Sequence, residues 1–346
     1  MTLGRRGACQ IAVLAVLGAF GALVGCSDAP IAPAAITRDA RYGVFRDLVL
    51  IPRSDARGGP FFLDRFESTR RDLLAWCAAT GRPAPATWPA AWSRHDLAGG
   101  GDDVPAARIE LPTARAFANW RFCRLPRLPE WEYAATAGGE YRFPWGDPSR
   151  AAWANTPQLG LGRATPVGTF ESGRAPAGPY DLVGNVAEWT ESLTPRFHRT
   201  QGWLGRTAVG AAGAHVPTGA PLPLIALLAF APAPAPHLVA GGGFLGMSGF
   251  GLRQSQKTPQ IPILEFRAGE WSDDVGVRLA TDPEELVRAL LREPEPPPDE
   301  ASVTALVAFL TAAEHRPVLA RAFERVRVDA SAPGPLAAIL ARALLR

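Results

Sequence analysis

Apolar positions fall along the chain in three different textures, and each predicts a different kind of structure. Ile11 to Val24 is almost unbroken apolar sequence behind Arg5 and Arg6, too short for a spanning helix, which needs about 20 residues. From Tyr42 to Ala137 the pattern is mixed. Phe45 to Pro52 and Pro60 to Phe66 are dense in apolar and aromatic residues and predict two strands. Thr69 offers a hydroxyl cap to a helix whose apolar face is Leu73, Leu74, Trp76 and Cys77 and which stops at Gly81. A second helix opens at Pro112 and Thr113, carries Ala116, Phe117 and Trp120 at helical spacing, and ends near Cys123. Glu130 to Ala137 predicts a third, short one.

Between Gly138 and Ala280 periodicity gives way to Gly, Pro, Trp and short apolar runs, the texture of a domain whose loops are fixed by something other than helices. Asp282, Pro283, Glu284 and Glu285 then start a helix with a capping carboxylate, proline in the first turn and acids at its positive end. It runs to about Arg292. A Pro-rich linker, 293–300, leads into an Ala/Leu/Arg-rich helical stretch broken at Pro317 and at Ala332 to Pro335. No repeat of solenoid period is present.

The amino terminus reads as a lipoprotein leader. Leu23, Val24 and Gly25 precede Cys26 at the point where cleavage is expected, so residues 1–25 form the signal peptide and Cys26 carries the lipid. An Ala/Pro-rich tether, 26–41, follows, then the main domain, 42–281, and the helical region, 282–346. The expected partner is thus the membrane, held through acyl chains on Cys26. The place is the cell envelope, and Ser27 after the cysteine resembles the outer-membrane pattern of proteobacterial lipoproteins. The chain carries a formal charge of +3, and loss of Arg5 and Arg6 leaves 3 − 2 = +1, which gives nucleic acid no electrostatic attraction. Cys77 and Cys123 are left in an oxidising compartment, either as one disulfide or as two buried thiols.

A series of blocks now becomes informative. In order they are FLDRFEST (62–69), ARAFANW (114–120), RLPRLPEWEYA (124–134), FPWG (143–146), WAN (153–155), PVG (166–168), YDLVGNVAEW (180–189), Gly241-Gly242 and VGVR (275–278). The set resembles the formylglycine-generating enzyme family, the sulfatase-modifying factor domain. That resemblance implies an α+β, C-type-lectin-like fold, loop-rich with little regular secondary structure, here followed by a small C-terminal helical appendage. The residues agree with it independently. Trp120, Trp131, Trp145, Trp153 and Trp189 bring large rings with one N–H each, suited to pinning loops in a core. Arg124 and Arg278 have planar forks that can tie loop carbonyls to carboxylates. Glu130 and Glu132 flank Trp131, so one of them faces solvent.

The resemblance also implies bound calcium, with carboxylates from Asp181 and Glu188 and carbonyls from Gly184 and Val186. A hydrogen-bonded turn without metal is the other reading of that segment. The family's second calcium site begins at Asn155 and Thr156, but its carboxylate position falls on Leu159. The enzymes of this family bind copper(I) through two cysteines beyond the Gly-Gly, and those positions are Gly246 and Gly251 here. Glycine has no side chain to bind a metal, and Met247 alone is better suited to packing. The ergothioneine-type branch uses three histidines on iron, whereas His95, His198, His215, His237 and His315 are scattered without ligand spacing. No catalytic residue is therefore assigned. The expected function is a lipid-anchored envelope domain that binds a protein partner or takes part in assembly. An oxidase with an altered metal centre is the rival. The long stretch 190–237 is read as a lid, a partner loop or a segment buried against the domain.

Overall fold

The structure is a computed structural model and describes residues 41–56, 58–84, 101–193, 236–246, 263–326 and 334–345. The leader, Cys26 and nearly all of the 190–237 stretch lie outside these residues. The chain opens with a single helical turn, α1 (Val44–Asp47), and strand β1 (Leu48–Ile51). One strand was expected from Phe45 onward. The polar pair Arg46 and Asp47 interrupts the apolar run, and Phe45 N donates to Tyr42 O at 3.1 Å to close the turn instead.

β2 (Phe61–Asp64) lies antiparallel to β1 with Leu48 opposite Asp64 and Ile51 opposite Phe61. Its alternation serves two cores: Phe62 joins one apolar cluster while Phe61 and Leu63 join the other. α2 (Arg70–Thr80) has both signals read above, a reciprocal cap between Thr69 and Asp72 and a left-handed Gly81 with φ 66°. α3 (Leu111–Trp120) and α4 (Leu128–Ala135) follow. α4 begins two residues before its expected start because the Glu130 carboxylate accepts from Arg127 N at 2.8 Å and closes the first turn.

The loop-rich half contains a four-stranded sheet in the order β5-β4-β3-β6. Its members are β3 (Ala187–Leu193), β4 (His237–Ala240), β5 (Ile263–Phe266) and β6 (Val275–Gly276), with β3 and β6 parallel and the other pairs antiparallel. β7 (Ala280–Thr281) returns to pair with β2. Helices α5 (Pro283–Arg292), α6 (Glu300–Thr311), α7 (Arg316–Val326) and α8 (Ala337–Leu344) complete the chain.

These last helices bury their apolar faces in the first core cluster together with Phe45, Phe62 and Phe122. The Phe309 ring of α6 lies 5.0 Å from Phe62 and 5.3 Å from Phe45, and His315 meets Phe62 edge-on at 5.1 Å. Glu293, at the start of the Pro-rich linker, holds the Arg41 guanidinium through two bonds of 2.7 and 2.6 Å. Pro317 sits in the first turn of α7, where its missing N–H costs nothing. Among the described residues no single helix is long and apolar enough to cross a membrane.

Candidate functional site

The two glycines of the Gly241-Gly242 block take positive φ, 99° and 67°, and lead β4 into a turn at Gly243 to Gly246. Gly243 N donates to Gly246 O at 3.1 Å, which closes it. This turn is held from below by a buried polar network. Phe244 N donates to Asn185 O at 3.0 Å, Gly184 N to Gly241 O at 3.1 Å, and Gly241 packs against the Trp131 ring.

Asn185 is the centre of that network. It is fully buried with φ 54°, a left-handed conformation that asparagine tolerates better than most residues. Its Oδ1 accepts from Asn155 Nδ2 and from the Thr165 backbone and hydroxyl, while its Nδ2 donates to Glu67 Oε2 at 2.6 Å. Glu67 Oε1 takes Val186 N at 2.9 Å. Burial, and then the nearby Asp181 and Glu188 carboxylates, push Glu67 well above the usual carboxylate range. Gly184, with φ 81°, is required here because a Cβ would lie 2.4 Å from Asn155 O.

Beside Asn185 lies an ion pair sealed from solvent. Arg278, 0% exposed, reaches Glu188, 1% exposed, through Nε at 2.9 and 3.0 Å and Nη2 at 2.6 Å. The remaining donors of its fork tie Asp64 O, Arg65 O and Tyr180 O, and Trp131 Nε1 donates to Glu188 Oε2 at 2.6 Å. The fork role expected of Arg278 is thus present. Arg124 acts likewise, on Glu130, Glu285 and Leu125 O. Of the flanking acids, Glu130 is the buried one.

The residues expected to hold calcium have protein partners of their own. Both oxygens of Glu188 are engaged by Arg278 and Trp131, and Asp181 Oδ2 accepts from Gly168 N at 2.7 Å. Asp181, Gly184, Val186 and Glu188 are thus part of one hydrogen-bonded turn, and among the described residues no group of three or more His, Cys, Asp or Glu side chains is clustered. Burial raises Asp181 to about 6.

Of the two positions matching copper ligands, Gly246 is described and Gly251 lies outside the described residues, as does Met247. A Cβ on Gly246 would have nothing within 4 Å among the described residues. Sulfur is present elsewhere, in Cys77 and Cys123, which are free buried thiols rather than a disulfide. His95, His198 and His215 fall outside the described residues. His237 contacts Arg115 Nη2 at 3.0 Å through Nε2, and His315 Nδ1 meets Phe309 O at 3.1 Å. Burial, then Arg115, lowers the His237 pKa, so this ring is neutral at neutral pH.

One acid at the turn escaped the sequence reading. Asp274 packs its carboxylate over Gly243, where a Cβ would lie 2.4 Å from Oδ2, and it accepts from Ser272 Oγ at 2.6 Å and Leu245 N at 3.3 Å. Its place directly before the VGVR block was the signal available. Glu67 and Asn185 were likewise inside quoted blocks but without a role.

Comparison with known proteins agrees with this architecture. Residues 33–283 match the model of the sulfatase-modifying factor enzyme 1-like domain. A formylglycine-generating enzyme of Mycobacterium tuberculosis is 40% identical over 106 residues, covering 28% of this chain and 36% of that protein. A hercynine oxygenase of Mycolicibacterium thermoresistibile is 38% identical over 95 residues, covering 26% of this chain and 21% of the oxygenase. The inactive C-alpha-formylglycine-generating enzyme 2 of Bos taurus is 37% identical over 101 residues, covering 26% of this chain and 33% of its own. The matched segments thus span about a third or less of these relatives. With the family model covering the whole of its main domain, the chain belongs to the sulfatase-modifying factor enzyme 1-like (formylglycine-generating enzyme) domain family.

Proposed function

We propose that this chain is a lipid-anchored cell-envelope protein whose formylglycine-generating-enzyme-like domain binds rather than catalyses. The observation that carries the reading is chemical. The two positions that match the copper thiolates are Gly246 and Gly251, and the chain's other mature cysteines, Cys77 and Cys123, are buried in the hydrophobic core. Soft copper(I) needs sulfur ligands, and this turn has none to offer. A relative named inactive supports the same view, while the relatives named as enzymes support the rival, an oxidase built on an altered centre. Anchoring rests on the leader and on Cys26, with the outer membrane as destination in a Gram-negative cell.

The test is metal analysis of the purified protein followed by titration with copper(I) and iron(II), with oxidation of a cysteine-containing sulfatase peptide followed in parallel. No retained redox metal and no peptide oxidation is the expected result. One tightly held copper or iron per chain, with aldehyde formed on the peptide, would establish the oxidase instead. Anchoring is checked by Cys26→Ser, which should move the protein from the detergent-extracted membrane fraction to the soluble one.

A further inference from the structure

Arg53, in the loop between β1 and β2, is a buried arginine that leaves most of its donors unused. Its side chain is 3% exposed and its Nε donates to Asp55 Oδ1 at 2.9 Å, but neither Nη has a hydrogen-bond partner among the described residues. Arg278 and Arg124 instead spend both Nη groups on protein oxygens. A guanidinium is a fork of N–H donors, and each donor withdrawn from water without an acceptor is costly. Burial alone does not single Arg53 out, since Arg70 and Arg121 are comparably withdrawn, but neither of those lines the cavity that lies against Arg53.

That cavity has a volume of about 310 Å³, and Arg53 faces it together with Gly58, Gly59, Arg127, Glu130 and Asp282. The fork is held in place by packing: its Cζ lies 5.2 Å from the centre of the Tyr133 ring, and a Cβ at Gly58 would come within 3.3 Å of Nη1. Neither Nη is sealed in protein. The two acids on the wall are already matched. Glu130 is held by Arg124 and Arg127, and so is Asp282. Glu285, the third acid on these arginines, is 43% exposed and lines the neighbouring cavity instead. Arg127 still has donors to offer, because its Nη2 reaches only Glu285, at 3.5 Å. Asp55, the partner of Arg53 Nε, is 39% exposed, so water screens its charge.

A wall with two guanidiniums that have N–H groups to spare calls for acceptor oxygens. A planar carboxylate meets such a fork through two parallel bonds, whereas a phosphate dianion would bring a second negative charge against Glu130 and Asp282. The volume admits such a group on a short carbon stem. A second cavity of about 460 Å³ shares Gly59 and Asp282 with the first and continues between α5 and α7, which leaves room for a longer ligand.

We propose that Arg53 and Arg127 form a binding site for a carboxylate group, carried by a small organic acid or by an acidic side chain of a polypeptide. Both sources share the recognising contacts. The site uses no residue of the Gly243 to Gly246 turn, so it stands whichever way the metal titration falls.

The experiment is ligand-observed NMR on the full chain in detergent, with propionate, acetylglutamate amide, inorganic phosphate and the neutral isostere propionamide as probes. Saturable binding of carboxylate, none of propionamide, and a loss of about tenfold or more in Arg53→Gln is the expected result, the size of one charge-assisted hydrogen bond. Binding of acetylglutamate amide as well as propionate indicates a polypeptide source, and propionate alone a small acid. Gly59→Leu crowds the wall common to both cavities, at a position where a Cβ meets nothing within 4 Å among the described residues. It should abolish binding too, and it serves if Arg53→Gln does not fold. Equal binding of propionamide, tighter binding of phosphate than of either carboxylate, unchanged affinity in both variants, or no binding of carboxylate overturns the proposal.

Discussion

Arg278→Met tests the assignment of Glu188 most directly. The substitution keeps the stem and removes the guanidinium, so Glu188 is left as a buried charge with Trp131 Nε1 as its remaining donor, and the carbonyls of Asp64 and Tyr180 lose the fork that ties them. Breaking a buried pair by removing one partner costs about 3–5 kcal/mol, and each carbonyl left unsatisfied adds about 1–3 kcal/mol. The sum, about 5 kcal/mol or more, is a large share of the roughly 5–15 kcal/mol that holds a domain together. At about 2–4 °C per kcal/mol for a domain of this size, the midpoint should fall by about 10–20 °C. Thermal unfolding by circular dichroism measures it. Pairing Arg278→Met with Glu188→Leu should recover most of the loss, because an apolar pair of similar volume replaces a buried ion pair at little cost.

The same assay separates this arrangement from a calcium site. If Glu188 were spent on calcium, millimolar Ca²⁺ would raise the wild-type midpoint, since a ligand held at a hundred times its Kd stabilises by about 2.7 kcal/mol. EDTA would lower it. The ion-pair assignment expects neither additive to move wild-type protein by more than a degree or so. A calcium-dependent midpoint together with a mild Arg278→Met phenotype would refute the reasoning.

Further predictions follow from the same contacts. Asp181 rises from 3.8 to about 6 on folding. A carboxylate whose folded pKa lies above its unfolded value lends stability that is complete below pH 3.8 and lost as pH climbs through about 6. Its contribution is about 3 kcal/mol. Denaturant titrations at pH 5 and 7 should therefore differ less in Asp181→Asn than in wild type. Phe309→Ala should cost about 3–5 kcal/mol in urea unfolding, because the ring fills the junction between α6 and the first sheet; an effect below about 1 kcal/mol would mean that the C-terminal helices are not part of the core. Cys77 and Cys123, on protein lacking the leader and Cys26, should be silent to a thiol reagent in the native state and give two equivalents on unfolding without reductant. No reactive thiol after unfolding would reveal a disulfide.

Much of the first half of the domain was legible because its signals are local. Thr69 and Gly81 bound α2 and Pro283 opens α5, since capping and turn chemistry act over a few residues, but the Asp282 carboxylate expected to cap α5 pairs with Arg124 and Arg127 instead. The role of tryptophans as pins was also readable, and Trp189 Nε1 does reach Ile109 O at 2.6 Å. The second sheet was not visible. β4 is buried at every position and shows no alternation, β3 alternates only over Ala187 to Thr190 before a polar pair breaks the pattern, and β6 is only two residues long. The site failed for a related reason. Spacing places Asp181 and Glu188 in one segment, but what Glu188 binds is decided by Arg278, 90 residues later.

The support of the turn also bears on position 246, which the resemblance matches to a copper thiolate. The turn at Gly243 to Gly246 is held by Asn185 O, by Gly184 N and by the Trp131 ring, and beneath it by Glu67, Glu188 and Arg278. No bond in that support uses a side chain at position 246, where a Cβ would meet nothing within 4 Å among the described residues. Glycine at position 246 therefore leaves this support unstrained. Asp274 is different, because Gly243 must remain glycine to admit its carboxylate. The fit of Gly243 against Asp274 therefore constrains the turn where position 246 does not.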